Sequence, residues 1–182
     1  HDDTGRVTLP GFYDGVPEVP ADQLASWDAL GFDATRFLSE VGLSHLAGEE
    51  GRRALEMLWS RPTCEFNGIT GGYTGAGFKT VLPSEASAKV SFRLVGDQDP
   101  KAILVALKAY VEAGVPEDVS VSFTDYGAAP ASTMGLSHPA FEQARGALSD
   151  EWGLQAAFTG AGGSLPVAGY FQTILGMDAM LI

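Results

Sequence analysis

Three short stretches hold residues whose types and spacing could do chemistry. The first, GGYTGAGFKTVLP (71–83), sets glycines ahead of a lysine and a threonine. A phosphate-cradling loop has that composition, but it needs Gly-Lys-Ser/Thr unbroken at the mouth of a helix, whose N–H groups hold the phosphates. Here Phe78 separates Gly77 from Lys79, and the SEASAKVSFRLV that follows alternates with the period of a strand. The stretch reads as a glycine-rich connection into a strand. The second, GAGGSLP (160–166), contains Ser164. It fails as a nucleophile elbow because Pro166 stands where Gly-x-Ser-x-Gly needs its last glycine. Consecutive backbone N–H groups beside a hydroxyl would make a nest for a carboxylate or another anion. A tight turn ahead of a helix opened by Pro166 fits the same residues equally. The third is Arg93, on the polar face of the 86–95 strand pattern. Its guanidinium could take a substrate carboxylate two-pronged, or it could be a solvated surface arginine, the commoner case.

Metal chemistry finds little to work with. His1, His45 and His138 lie far apart in sequence, with no HxH, HxxxH or HxD spacing. A zinc site needs three or four ligands, so none is expected from this chain's own residues. Glu49-Glu50 could supply a ligand and a base, but the pair stands at the start of a helical pattern, where carboxylates suit the helix dipole. The structural reading is preferred.

The elements that must position these residues follow from periodicity. Residues 1–20 read as loop. From Asp22 to Trp59 the apolar spacing is helical, with Asp22 and Asp33 as expected N-caps. CEFNGITGG reads as a strand broken by glycines and 86–95 as an alternating strand. Asp99-Pro100 opens a helix that Gly114 ends. VSVSFTDY (119–126) alternates again and is expected to be a strand. This order is most of a βαββαβ sandwich lacking its first strand. After the loop GAAPASTMGLSHP come an amphipathic helix, a short strand at 154–158, a glycine turn, a helix and a final strand ending AMLI.

Totals bound the function. The chain has 182 residues, 45% apolar, with a formal net charge of −12 and only 11 lysines and arginines. That balance argues against a nucleic-acid partner, and no apolar run approaches a membrane span. The single Cys64 excludes an internal disulfide framework. With no visible secretion leader, it points to a reducing, cytoplasmic setting. A start without Met and a stop in an apolar strand lead to the expectation of a fragment.

GRVTLPGFYDGV, NGITGGYTGAGFKTVLPSEASAKVSFRLVGDQDP, SHPAFEQARGAL and GAGGSLPV occur in that order. Together they resemble the zinc-dependent metallopeptidase family of carnosinase-type dipeptidases, aminoacylases, acetylornithine deacetylase and succinyl-diaminopimelate desuccinylase. The resemblance implies an α+β chain: an incomplete ferredoxin-like βαββαβ lid at 1–130 with a helical insertion at about 20–60, then an α/β segment of the catalytic domain at 131–182. It implies a lid that forms a homodimer, and a dipeptide or N-acyl amino acid substrate. Thr80 would contact substrate across the dimer and Arg93 would grip its terminal carboxylate. Gly163 and Ser164 would close on the same carboxylate, with Asn67 of the NGI stretch a further contact. Two zinc ions would be held by residues outside this chain. The chain departs from the family at Gly160-Ala161, where Arg-Glu usually precedes Gly-Gly-Ser. The alternative is a stand-alone dimerisation or carboxylate-binding module without catalysis.

Overall fold

In the computed structural model, residues 1–161 and 165–181 are described. Six helices and one sheet are found among them. The helices are α1 (Ala21–Asp28), α2 (Ala34–Glu40), α3 (Ala54–Ser60), α4 (Pro100–Gly114), α5 (Pro139–Trp152) and α6 (Pro166–Leu175). The sheet pairs β1 (Thr63–Gly71) antiparallel with β2 (Ala86–Arg93).

Helix starts follow the local chemistry in most places. Asp33 caps α2 by accepting the N–H of Arg36, and Asp99 caps α4 by accepting that of Lys101, with Pro100 at the first helical position. Asp22 does not cap α1. Pro20 occupies the cap position without a side-chain hydrogen bond, and Asp22 lies in the first turn, where its charge meets the helix dipole instead.

The core forms where the N-terminal segment lies between β2 and α4. Phe12, only 1% exposed, packs with Leu9 and Ile103, flanked by Val7, Tyr13, Phe92, Leu94, Ala106 and Leu107. Phe12 meets Tyr13 edge-on at 5.3 Å and Phe92 at 5.8 Å. Burying such a phenylalanine contributes roughly 1.5–3 kcal/mol. Buried Gln98 completes the seam, accepting from Val95 N–H at 2.8 Å and donating to the Phe12 carbonyl. Gly5 has a required conformation: its φ is +78°, and a Cβ there would lie 1.9 Å from the Gly48 carbonyl oxygen. This approach, with the Glu50 N–H on the Thr4 carbonyl at 2.8 Å, ties the N-terminus to the loop ahead of α3.

Three expected strands are absent among the described residues. Segments 119–126, 154–158 and 177–181 carry no sheet pairing. Alternation marks a chain with two unlike faces, but a strand exists only where its backbone finds a partner. Val119 and Tyr126 accordingly stand exposed. The observed architecture is a mixed helix and strand fold with a two-stranded sheet.

Candidate functional site

The β1–β2 hairpin carries three of the five residues singled out from sequence. Thr63 pairs with Arg93, Cys64 with Phe92, Glu65 with Ser91 and Phe66 with Val90. The register then slips, and Gly68 pairs with Lys89. Asn67 is the extra residue at this bulge, and it is exposed. Bulges bend a strand and re-aim a side chain, which suits a contact residue.

Arg93 lies at the last position of β2 with its side chain 54% exposed. Phe92 and Leu94 beside it face the core, so strand alternation puts Arg93 on the outer face. Glu65 sits diagonally across the pair and approaches the Arg93 Nε at 4.0 Å. The Glu65 carboxylate is itself engaged by the Thr63 hydroxyl, and the Ser91 hydroxyl donates to it at 3.5 Å. Among the described residues this loose approach is the one ion pair of Arg93. With just over half of its side chain exposed, the guanidinium can still take up a planar carboxylate. Sequence reading missed Glu65; the signal was the register, which places it on the Arg93 face only once the strands are paired.

Thr80 lies in the exposed connection between the strands, flanked by Phe78 and Leu82, each more than nine-tenths exposed. The connection leaves the hairpin at Gly71 and Ala86, seven residues up β2 from Arg93, roughly 24 Å of strand. The connection that carries Thr80 therefore leaves the hairpin at the end opposite Arg93. Gly163 and Ser164 lie outside the described residues. Just upstream, Gly160 packs so tightly that a Cβ would lie 2.5 Å from both Cβ and the carbonyl oxygen of Trp59. No side chain fits there without a shift of the Trp59 backbone.

Glu49-Glu50 has a different role from the dipole partner expected. Glu49, 7% exposed, is the centre of a buried charge cluster outside any helix. Arg61 donates to it from Nε at 3.1 Å and from Nη2 at 2.8 Å, while Arg6 and Arg52 approach at 3.6 and 3.7 Å. Arg52 also donates to Glu18 and Glu56. That contact draws the Glu18 carboxyl below its ordinary pKa, and the Arg52 guanidinium is pushed upward chiefly by Glu18. Arg6 and Arg61 stack over the Tyr13 ring at 3.9 and 5.6 Å, and burial raises the Tyr13 hydroxyl pKa. The cluster is an internal brace. The signal for it was weak, because its members are scattered from Arg6 to Arg61.

The histidines are also separately employed. His138 Nδ1 accepts from Ala140 N–H at the start of α5, and His45 bonds Ser44. Among the described residues no three of His, Cys, Asp or Glu gather as metal ligands. The described residues do not fit a resident metal. Among them, too, no helix is long and apolar enough to cross a membrane.

The described elements are a two-stranded hairpin backed by a helix with an outward arginine, and comparison with known proteins gives the family. Residues 20–119 match the peptidase dimerisation domain of the M20 peptidases, and the chain belongs to that family. It is 28% identical to a Cys-Gly metallodipeptidase of Candida albicans, and 24% identical to the human Beta-Ala-His dipeptidase. All of this chain is matched in both cases, against 38% and 36% of those proteins. The chain thus spans well under half the length of these relatives. Among solved structures, an M20 family metallo-carboxypeptidase from Sulfolobus solfataricus superposes with a TM-score of 0.82 at 27% identity, over 96% of this chain and 45% of that one. Human carnosine dipeptidase 1 superposes with a TM-score of 0.77 at 21% identity, over 96% and 38%, a likeness of fold.

Proposed function

We propose that this chain is the lid and part of the catalytic domain of a metal-dependent dipeptidase, and that its hairpin delivers a carboxylate grip to the active site. The observation that carries this reading is Arg93: an outward guanidinium on the polar face of the hairpin, with a single loose ion-pair partner among the described residues, in a chain of the peptidase dimerisation family. A dipeptide or an N-acyl amino acid presents the terminal carboxylate that such a fork takes up two-pronged. Gly163 and Ser164 would close on the same carboxylate, and Asn67 at the bulge would add a polar contact. Thr80, at the far end of the hairpin from Arg93, would serve the active site of a second copy, which makes the working unit a homodimer. Residues 1–130 would form the lid and 131–182 the returning catalytic segment. The exposed alternating segment 119–126 would complete a ferredoxin-like sheet beside a strand from elsewhere in the whole protein. Two zinc ions, held by residues beyond this chain, would supply the activated water in a cytoplasmic enzyme.

In this scheme Arg93, Thr80 and Ser164 bind and orient rather than move protons, and positioning alone accounts for much of a rate enhancement. Arg93→Ala in the full-length enzyme is expected to lower kcat/KM for dipeptides by about 2–4 kcal/mol in barrier terms, roughly 30- to 1,000-fold. An unchanged kcat/KM would remove Arg93 from the site. A full-length protein that binds carboxylates without turnover would favour a binding module instead.

A further inference from the structure

The outer face of the hairpin holds a second charge beside Arg93. Residues directly opposite one another share a face, so the register sends Thr63 and Glu65 of β1 to the side of Ser91 and Arg93 of β2, away from Phe92 and Leu94. On that side Glu65 is fixed from both strands. The Thr63 hydroxyl donates to its Oε1, and the Ser91 hydroxyl donates to its Oε2 at 3.5 Å. Both donors are neutral, so they hold the carboxylate without cancelling its charge. Arg93 approaches Oε1 with its Nε at 4.0 Å, too far for a hydrogen bond. Lys89, on the far side of Ser91, lays its stem across Gly68, its Cδ 3.6 Å from where a Cβ there would lie. Among the described residues it makes no ion pair with Glu65. The Glu65 side chain is 39% exposed. The face thus presents an anion next to the Arg93 cation, not joined to it by a hydrogen bond and open to a ligand.

We propose that Glu65 is a specificity-determining residue, which favours substrates whose C-terminal side chain is cationic and disfavours those in which that side chain is a second carboxylate. This rests on the carboxylate grip assigned to Arg93 above. The terminal carboxylate and the side chain of one residue leave the same Cα, so a side chain of a few bonds reaches the group next to the one that holds the carboxylate. A carboxylate has about four acceptor positions, and the Thr63 and Ser91 hydroxyls use two. A substrate ammonium or guanidinium can take up the rest. A substrate carboxylate cannot, and it leaves like charges side by side, which is discrimination by repulsion. Unit charges about 4 Å apart shift an equilibrium about fivefold even at the dielectric constant of water. Lys89 stands four residues back along β2 from Arg93, roughly 13 Å, so a residue held at Arg93 meets Glu65 first.

The test uses the full-length enzyme and three dipeptides that differ only in the C-terminal residue: alanyl-lysine, alanyl-glutamine and alanyl-glutamate. Each charged substrate's kcat/KM is expressed against that of neutral alanyl-glutamine, so a general effect on Arg93 or on the fold cancels. Glu65→Gln keeps the shape and removes the charge. It is expected to lower the lysine value about fivefold and raise the glutamate value about fivefold, so their ratio falls about 25-fold at low salt. The gap between wild type and variant should narrow in molar salt, because the site is partly exposed. A ratio that moves less than about threefold would overturn the proposal. Should Glu65→Gln not fold, Glu65→Thr, equally neutral and suited to a strand, decides it by the same ratio. Arg93→Ala run alongside separates the two readings. If it lowers kcat/KM for all three substrates while Glu65→Gln leaves the ratio alone, the grip stands and the role of Glu65 is refuted. If Arg93→Ala changes none of the three, the grip fails and the specificity proposal with it.

Discussion

Replacing Glu49 by glutamine should be among the most damaging conservative changes in this chain. The substitution keeps size and shape but removes the charge that Arg61 meets with two nitrogens. Arg61 is 4% exposed on its side chain, and its Nη1 already has no hydrogen-bond partner among the described residues. Without the carboxylate, a guanidinium stays buried with its two-nitrogen partner neutralised and only the exposed Glu18 carboxylate, 3.8 Å from Nη1, left as a counter-charge. Removing one member of a buried pair costs about 3–5 kcal/mol, because the remaining charge is left uncompensated. Arg6 and Arg52, both more exposed, approach Glu49 no closer than 3.6 Å and can turn to water, so the loss concentrates on Arg61. Urea unfolding followed by the fluorescence of the packed Trp27–Trp59 pair would read it as a lower midpoint at unchanged slope. Glu49→Gln with Arg61→Met should recover much of the loss, since an apolar replacement of the whole pair is often neutral. A loss below about 1 kcal/mol, the range of surface pairs, would mean that the cluster is hydrated and the brace unimportant.

Three further outcomes are expected. The Cys64 thiol is pushed up first by burial and then by neighbouring Glu65, so iodoacetamide should alkylate it more slowly at pH 8 than the unfolded chain. Glu65→Gln should narrow that gap. The Glu18 carboxyl is held below its ordinary value of 4.5 by the hydrogen bond from Arg52, so its stabilisation is present above that pH and is lost as pH falls through the lowered value. The stability difference between wild type and Glu18→Gln should be small, given the exposure of Glu18, and should vanish in strong acid. Gly160→Ala should destabilise by about 1–3 kcal/mol through overpacking, and Trp59→Ala should not rescue it, because the atoms in the way are the Cβ and backbone oxygen that alanine retains. A neutral Gly160→Ala in thermal unfolding would refute the close approach.

What sequence could reveal was local. Asp99-Pro100 announced α4 because cap and first-turn chemistry act within three residues, and the alternation through Val90, Phe92 and Leu94 announced β2 because one face meets the core. Alternation in 119–126 promised a strand for the same reason and failed, since periodicity names a face and not a neighbour. Arg93 was legible by its place in β2, whereas Glu65 needed the register and the Asn67 bulge needed the slip between Phe66 and Gly68. Glu49 misled outright: next to a helical pattern it suggests dipole chemistry, but its partners Arg6 and Arg61 are fixed only by the folded chain.

The insertion brings these observations together. Its helices are eight, seven and seven residues long, each too short to persist alone in water. Exposed contacts such as the Arg53–Asp28 pair at 3.0 Å add little. What can hold them lies at two ends. Near α3 the Glu49 cluster joins the insertion to the N-terminal segment through Arg6, Tyr13 and Glu18. At α1 the Trp27 and Gln23 donors join it to Phe158. The insertion thus spans from the segment that packs behind the Arg93 hairpin to the segment around Phe158. Loosening the Glu49 end should therefore loosen the insertion as a whole, so Glu49→Gln is expected to speed amide exchange in α1 as well as in α3.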